Sequence, residues 1–216
     1  MHRPSFENGN LKCVFVGDSI VGKTSLIVAY TTNGFCERYT PTAFDNYSVS
    51  VTVDNKPIKI ELCDTAGQSE FDSLRLLSYN EANVFLLCFN VMSQSSFQSI
   101  IHKWLPEIRS LSSDIPIILV GTQSDLRHNL GKILELKRYG QNPVDLKLIR
   151  KFVEQNNLEF IECSALTQHN LKEVFDLAIL NALQQKKKKY LPEKQKTPTT
   201  FKESFRKLVT MTRKLI

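Results

Sequence analysis

The chain has 216 residues and a mass of 24.7 kDa, is 42% hydrophobic and 23% charged, and carries 28 Lys+Arg against 22 Asp+Glu. That length suits one domain with its own core and a short appendage. The ordinary composition excludes collagen-like, disordered and disulfide-scaffold classes, and no apolar run reaches the roughly 18 residues of a membrane span. The formal charge of +6 is unevenly placed. Residues 186–216 hold eleven Lys/Arg and two Asp/Glu, a net of +9, which leaves −3 on the other 185 residues. A mildly acidic body with a basic tail argues against nucleic acid as a partner.

Residues 1–10 read as a short N-terminal extension without the apolar core of a signal peptide. Leu11–Val16 is a strand-length apolar run ending in glycine, followed by helical spacing over Thr24–Thr31. Tyr47–Val53 and Pro57–Leu62 alternate around Asp54-Asn55-Lys56 and predict a hairpin. Val84–Phe89 and Ile115–Val120 are continuous apolar runs suited to strands covered on both faces. Phe160–Cys163 is a weaker sixth strand, and Ser95–Leu111, Val144–Asn156 and Leu171–Gln185 read as helices. Residues 128–143 form a polar and basic insertion that reads as a surface helix with a loop. Strands alternating with helices predict an α/β doubly wound fold whose sheet is mostly parallel, with one antiparallel edge strand. The five cysteines are odd in number and form no C-x-x-C, so they read as reduced and mostly buried thiols of a cytoplasmic protein.

Chemistry first appears at Gly17-Asp18-Ser19-Ile20-Val21-Gly22-Lys23-Thr24, a G-x-x-x-x-G-K-[ST] loop between a predicted strand and a predicted helix. Glycines let backbone N–H groups wrap a phosphate chain, and the helix N-terminus adds positive potential. Lys23 supplies a cation to the terminal phosphates, and the Thr24 hydroxyl suits Mg²⁺. The ligand is therefore a nucleoside di- or triphosphate. Asp64-Thr65-Ala66-Gly67-Gln68 follows the second hairpin strand. There Asp64 suits Mg²⁺ through water, Gly67 permits backbone approach to a terminal phosphate, and Gln68 suits orienting a water.

With these motifs, the chain resembles a Ras-superfamily small GTPase of the Rho family. Residues 39–47 (Tyr-Thr-Pro-Thr-Ala-Phe-Asp-Asn-Tyr) are similar to the Rho first switch, and Asp64 to Arg75 to the second. Gly121-Thr122-Gln123-Ser124-Asp125 is similar to the base-reading motif, and Glu162-Cys163-Ser164-Ala165-Leu166 to the last guanine-contact loop. The insertion falls where Rho proteins carry an extra helix. Thr-Gln-Ser-Asp, Leu62-Cys63-Asp64 and residues 164–175 most resemble the Wrch/Chp (RhoU/RhoV) branch.

The resemblance implies a three-layer P-loop NTPase G domain over residues 11–185, binding GTP or GDP with Mg²⁺ and hydrolysing GTP. It places Gly17, Asp18, Ser19, Val21, Gly22, Lys23, Thr24, Ser25, Phe35, Thr42, Gly67, Gln123, Asp125, Leu126, Ser164 and Ala165 around the nucleotide. Asp125 would read guanine, because an unpaired buried carboxylate rejects adenine. Thr24, Thr42 and, through water, Asp64 would hold the metal. Gln68, Thr42 and Lys23 would carry catalysis. Loss of the third phosphate would relax the segments around Thr42 and Gly67. Effectors of the actin cytoskeleton or cell polarity would bind Tyr39, Thr42, Phe44, Asp45, Tyr47, Phe71, Leu74 and Leu77. Exchange factors and GTPase-activating proteins of the Rho class would act on a monomer.

Two departures bias the expected cycle. Ser19 stands where most of the family has glycine, crowding the space shared by Gln68, the γ-phosphate and an activating arginine. Gln123 stands where lysine is common, which predicts the loss of a charge-assisted bond to the phosphate loop and faster exchange. The alternative reading is a GTP-locked interaction module with negligible hydrolysis.

The tail has no cysteine after Cys163, so attachment without C-terminal lipidation is the expectation. Leu191–Thr200 reads as a linker. Over 201–216, Phe201, Phe205, Leu208, Val209, Met211, Leu215 and Ile216 fall within an arc of about 160° with cations opposite, which suits a helix lying on an anionic membrane, the alternatives being a helix that docks on a protein partner such as a calmodulin-like one, an import signal in the lysine run, or a solvated tail.

Overall fold

The computed structural model describes residues 10–35 and 42–190. The extension over 1–9, Tyr39 and its neighbours to Pro41, and the linker and candidate helix within 191–216 lie outside the described residues.

Six strands form one sheet in the order β2-β3-β1-β4-β5-β6. Strands β1 (Leu11–Val16), β4 (Val84–Asn90) and β5 (Ile117–Thr122) are buried almost throughout, as their unbroken apolar runs require. They pair in parallel with each other's neighbours, and β6 (Glu159–Glu162) closes one edge in parallel. The other edge is the predicted antiparallel strand, β2 (Phe44–Val53) against β3 (Lys56–Thr65). Asp54 and Asn55 form its two-residue loop with φ of +49° and +60°, the left-handed pair that matches strand twist. The hairpin is longer than its sequence pattern. Phe44, Asp45 and Asn46 are exposed on an edge strand, so no alternation marks them, yet they pair with Thr65, Asp64 and Cys63.

One face of the sheet carries α1 (Lys23–Thr32) and α7 (Leu171–Tyr190), packed around Phe15, Tyr30 and Phe175. The Tyr30 and Phe175 rings stack at 3.6 Å. Helix α7 runs past Gln185 because Lys186–Lys189 are good helix formers. The other face carries α3 (Gln94–Ser99), α4 (Leu105–Leu111) and α6 (Leu146–Gln155), packed around Phe85, Phe89, Phe97 and Trp104. The expected continuous helix over Ser95–Leu111 is interrupted by a π turn at Ile100–Trp104. Pro106 opens α4 and has no N–H to return to the preceding turn, while the Leu105 N–H reaches back five residues to the Ile100 carbonyl.

Within 128–143, α5 (Leu130–Arg138) is capped by the Asn129 side chain, which accepts from the Lys132 N–H, and it turns Ile133 and Leu136 toward the core. Helix α6 starts at Leu146 rather than Val144, because the Asp145 carboxylate accepts from the Lys147 N–H at 2.8 Å and caps it. A helix absent from the sequence reading, α2 (Asp72–Ser78), follows a 3₁₀ turn at Ser69–Phe71. The loops after β1, β3, β5 and β6 all open at the carboxyl edge of the sheet, where open α/β sheets bind ligands.

Candidate functional site

At the end of β1 the chain turns sharply. A Cβ on Gly17, whose φ is +149°, would sit 2.2 Å from the Cys88 carbonyl oxygen, so only glycine lets the loop leave the sheet here. Ile20 takes φ +64°, a conformation β-branched residues rarely adopt, and stays largely exposed at the rim. Lys23 is 6% exposed, and its Nζ donates to the Gly17 carbonyl at 2.9 Å and the Asp18 carbonyl at 2.8 Å. Burial holds its pKa below the ordinary lysine value. A desolvated ammonium fixed inside a backbone loop suits a phosphate chain.

Three oxygens from distant segments meet beside it. The Thr24 hydroxyl donates to Asp64 Oδ2 and lies 2.9 Å from the Thr42 hydroxyl. Asp64 is fully buried, its pKa is raised by burial, and its Oδ1 has no hydrogen-bond partner. One carboxylate and two hydroxyls, with a buried carboxylate oxygen left over, form a hard oxygen donor set that fits Mg²⁺. The long hairpin explains the meeting, since β2 and β3 pair Asp45 with Asp64 and so bring the start of β2 to this edge.

Gly67 lies flat against the phosphate loop. A Cβ there would fall 2.3 Å from the Ser19 nitrogen, 2.4 Å from the Asp18 carbonyl carbon and 2.7 Å from the Gly17 oxygen. Gln68 follows, exposed at the open side.

At the far end, Asp125 accepts from the Ser164 hydroxyl at 2.5 Å through Oδ1, and the Thr167 N–H donates to Ser164 Oγ at 3.1 Å. Arg127 binds Glu162 through Nε at 2.8 Å and Nη2 at 2.6 Å, bracing the two loops that carry Asp125 and Ala165. Gln123 lies over the phosphate loop, with its Nε2 donating to the Ile20 carbonyl at 3.4 Å. The charge-assisted bond expected to be lost with the lysine thus has an uncharged counterpart.

A cleft of about 600 Å³ runs between these ends. Ser19, Gly22, Lys23, Thr24, Ser25, Phe35, Thr42, Gly67, Gln68, Gln123, Asp125, Leu126 and Ala165 line it. Gly17, Val21, Asp64 and Ser164 are buried and Asp18 is half-buried, and none of the five lines it. Of the effector residues, Asp45 and Tyr47 also line the cleft and Phe44 is exposed on β2. Phe71 ends the 3₁₀ turn, and Leu74 and Leu77 are exposed on α2. Tyr39 lies outside the described residues.

The Ras family model matches residues 12–185. The chain is 53% identical over 178 residues to the Rho-related GTP-binding protein RhoV of Mus musculus and of Homo sapiens, and 52% identical to that of Bos taurus. Each alignment covers 82% of this chain and 75% of the relative. The chain belongs to the Ras family, as a Rho-type small GTPase.

In this GTPase, Trp104 and Asn90 support the site without a motif to announce them, and Arg75 closes the second-switch run. Trp104 donates to the Asp18 carboxylate, Asn90 holds Gln123, and Arg75 is buried among Asp72, Glu107 and the Trp104 ring. The one signal in the sequence was that its single tryptophan lies inside the helix expected over Ser95–Leu111.

Proposed function

We propose that this GTPase is a molecular switch that binds GTP and GDP with Mg²⁺ and alternates between effector-binding and relaxed forms. The observation that carries this reading is the convergence of Thr24, Thr42 and Asp64, with Asp64 Oδ1 left unsatisfied. Magnesium bound there by Thr24, Thr42 and, through water, Asp64 would neutralise phosphate charge. Lys23 neutralises the terminal phosphates from within the loop, and Gln68 orients the attacking water at the open side. Asp125, steered by Ser164, accepts from the guanine N1–H and exocyclic amine. Gly67 brings its backbone N–H to the third phosphate, so loss of that phosphate frees the segment leading into α2. Effectors of the Rho class then read Thr42, Phe44, Asp45 and Tyr47 together with Phe71, Leu74 and Leu77.

The resting state is biased toward GTP. Ser19 lines the cleft, so its side chain takes up space that a glycine would leave open to an activating arginine, and the bond from Gln123 to the phosphate loop is long and neutral. The same crowding favours a second reading, a GTP-locked interaction module. The purified protein's bound nucleotide decides among these readings. GDP, with GTP turnover dependent on Gln68, supports the switch; GTP without turnover supports the locked module; an adenine nucleotide overturns both.

The basic tail supports a peripheral position on anionic membranes. Co-sedimentation with phosphatidylserine vesicles, but not neutral ones, that is lost on removing 186–216 tests this; equal binding to both vesicle types refutes it.

A further inference from the structure

Asn90 is the last residue of β4, and no part of the nucleotide-binding motifs includes it. Its side-chain amide is held at both ends. Oδ1 accepts from the Met92 N–H at 2.8 Å, and Nδ2 donates to Gln123 Oε1 at 3.2 Å. An amide has one accepting and one donating end, so the Met92 bond fixes which end Asn90 presents to Gln123. Gln123 must therefore answer with its oxygen, which leaves its own Nε2 facing the Ile20 carbonyl at 3.4 Å. Gln123 has φ +58°, and its Nε2 lies 3.9 Å from the position a Cβ would take on Gly22, so the amide sits directly on the phosphate loop.

We infer that Asn90 is a positioning residue for nucleotide retention: it sets the orientation of the Gln123 amide, so that Gln123 donates to the phosphate loop rather than presenting an oxygen to it. The inference rests on the proposed guanine-nucleotide site. An ammonium at position 123 would have no wrong orientation. A glutamine has one, since a flipped amide would bring Oε1 against the Ile20 carbonyl and replace an attraction with a repulsion between two acceptors. The relay from the Met92 backbone through Asn90 and Gln123 to Ile20 removes that choice. It makes a neutral side chain behave as an obligate donor and moderates the fast exchange expected of a chain without the lysine.

The test is the release rate of fluorescently labelled GDP from the Mg²⁺-loaded protein, for wild type, Asn90→Asp and Asn90→Ser, each also made in a Gln123→Ala background. Asn90→Asp keeps the acceptor for Met92 but turns an acceptor toward Gln123. Asn90→Ser, which adds no charge, is too short to reach it. Each single substitution is expected to speed release by about three- to tenfold, the range of one lost neutral hydrogen bond. In the Gln123→Ala background neither should change it further. A wild-type protein that holds no guanine nucleotide refutes the proposed function itself. A wild type that holds GDP while both Asn90 variants release it at the wild-type rate overturns this inference alone. So does acceleration of equal size in the Gln123→Ala background, which would show that Asn90 acts by another route.

Discussion

The indole Nε1 of Trp104 donates to the carboxylate of Asp18 at 2.7 Å, joining residues 86 positions apart. Asp18 is the second residue of the phosphate loop, and Trp104 ends the π turn on the opposite helix layer. The guanidinium carbon of Arg75 lies 4.7 Å from the Trp104 ring centroid. Arg75 is itself fully buried, bonding Glu107 through Nε at 3.0 Å and Nη2 at 2.9 Å, and Asp72 at 2.7 Å. Tyr79 completes the group by donating to Glu107 at 2.6 Å. The phosphate loop and α2 thus share one side chain.

Replacing that side chain should register at both ends. Trp104→Phe removes the donor to Asp18 and leaves a void beneath Arg75, so a loss of about 2–4 kcal/mol is expected from urea unfolding followed by circular dichroism. In the wild type, this single tryptophan should change its emission between the GDP-bound form and one bound to a non-hydrolysable GTP analogue. Identical spectra in the two forms would show that α2 and the phosphate loop are not linked through it.

Gly67 has no room for a methyl group, since a Cβ would stand 2.3 Å from the Ser19 nitrogen. Gly67→Ala should push the segment leading into α2 off the phosphate loop. GTP turnover should fall by at least about tenfold, the loss of one donor to developing charge, while GDP affinity holds. Parallel calorimetric titration of GDP and single-turnover hydrolysis would separate the two, and unchanged turnover would place the catalytic closure elsewhere.

Ser19 lines the cleft beside that contact. An activating arginine is worth roughly 10³–10⁵ in rate, so restoring space with Ser19→Gly should raise turnover stimulated by a Rho-directed activating protein by about tenfold or more. The intrinsic rate should move less. A stimulated rate equal to that of wild type would remove Ser19 from the account of GTP bias.

The thiols give a pH signature. Burial pushes Cys63 and Cys88 up to about 12 from an ordinary 9.0 and also raises Cys13 and Cys163. Because their folded values lie above the unfolded one, their stabilising contribution is complete below pH 9 and is lost as pH climbs toward 12. The urea midpoint should therefore fall between pH 9 and higher pH. At pH 8 these four cysteines should resist iodoacetamide until the chain is unfolded. Rapid alkylation of any of them in the folded protein would contradict this burial.

The strands and the residues that line the candidate cleft were legible in the sequence, each for its own reason. Buried parallel strands read as apolar runs, and phosphate loops need particular residues in a fixed order. Helix α2 was not legible, because its leucines at 74, 76 and 77 face outward while Arg75 and Ser78 are its buried residues, which inverts the usual pattern. The start of β2 was hidden because pairing at an exposed edge leaves no alternation. Asn90 and Trp104 were hidden more deeply. Each acts through a side chain more than thirty positions away, and only folding brings those pairs together.

The π turn at Ile100–Trp104 has a consequence for tolerance to length change. The wider turn absorbs one extra residue, so residues 94–99 and 105–111 keep the phase of a single regular helix. Deleting one residue within 100–103 would close the turn into a regular helix without rotating its two flanks against each other. Deleting one within a regular turn would instead rotate what lies beyond it by about 100°, and the indole could no longer meet Asp18 while Glu107 still met Arg75. A single-residue deletion should therefore be better tolerated in the π turn than elsewhere in 94–111.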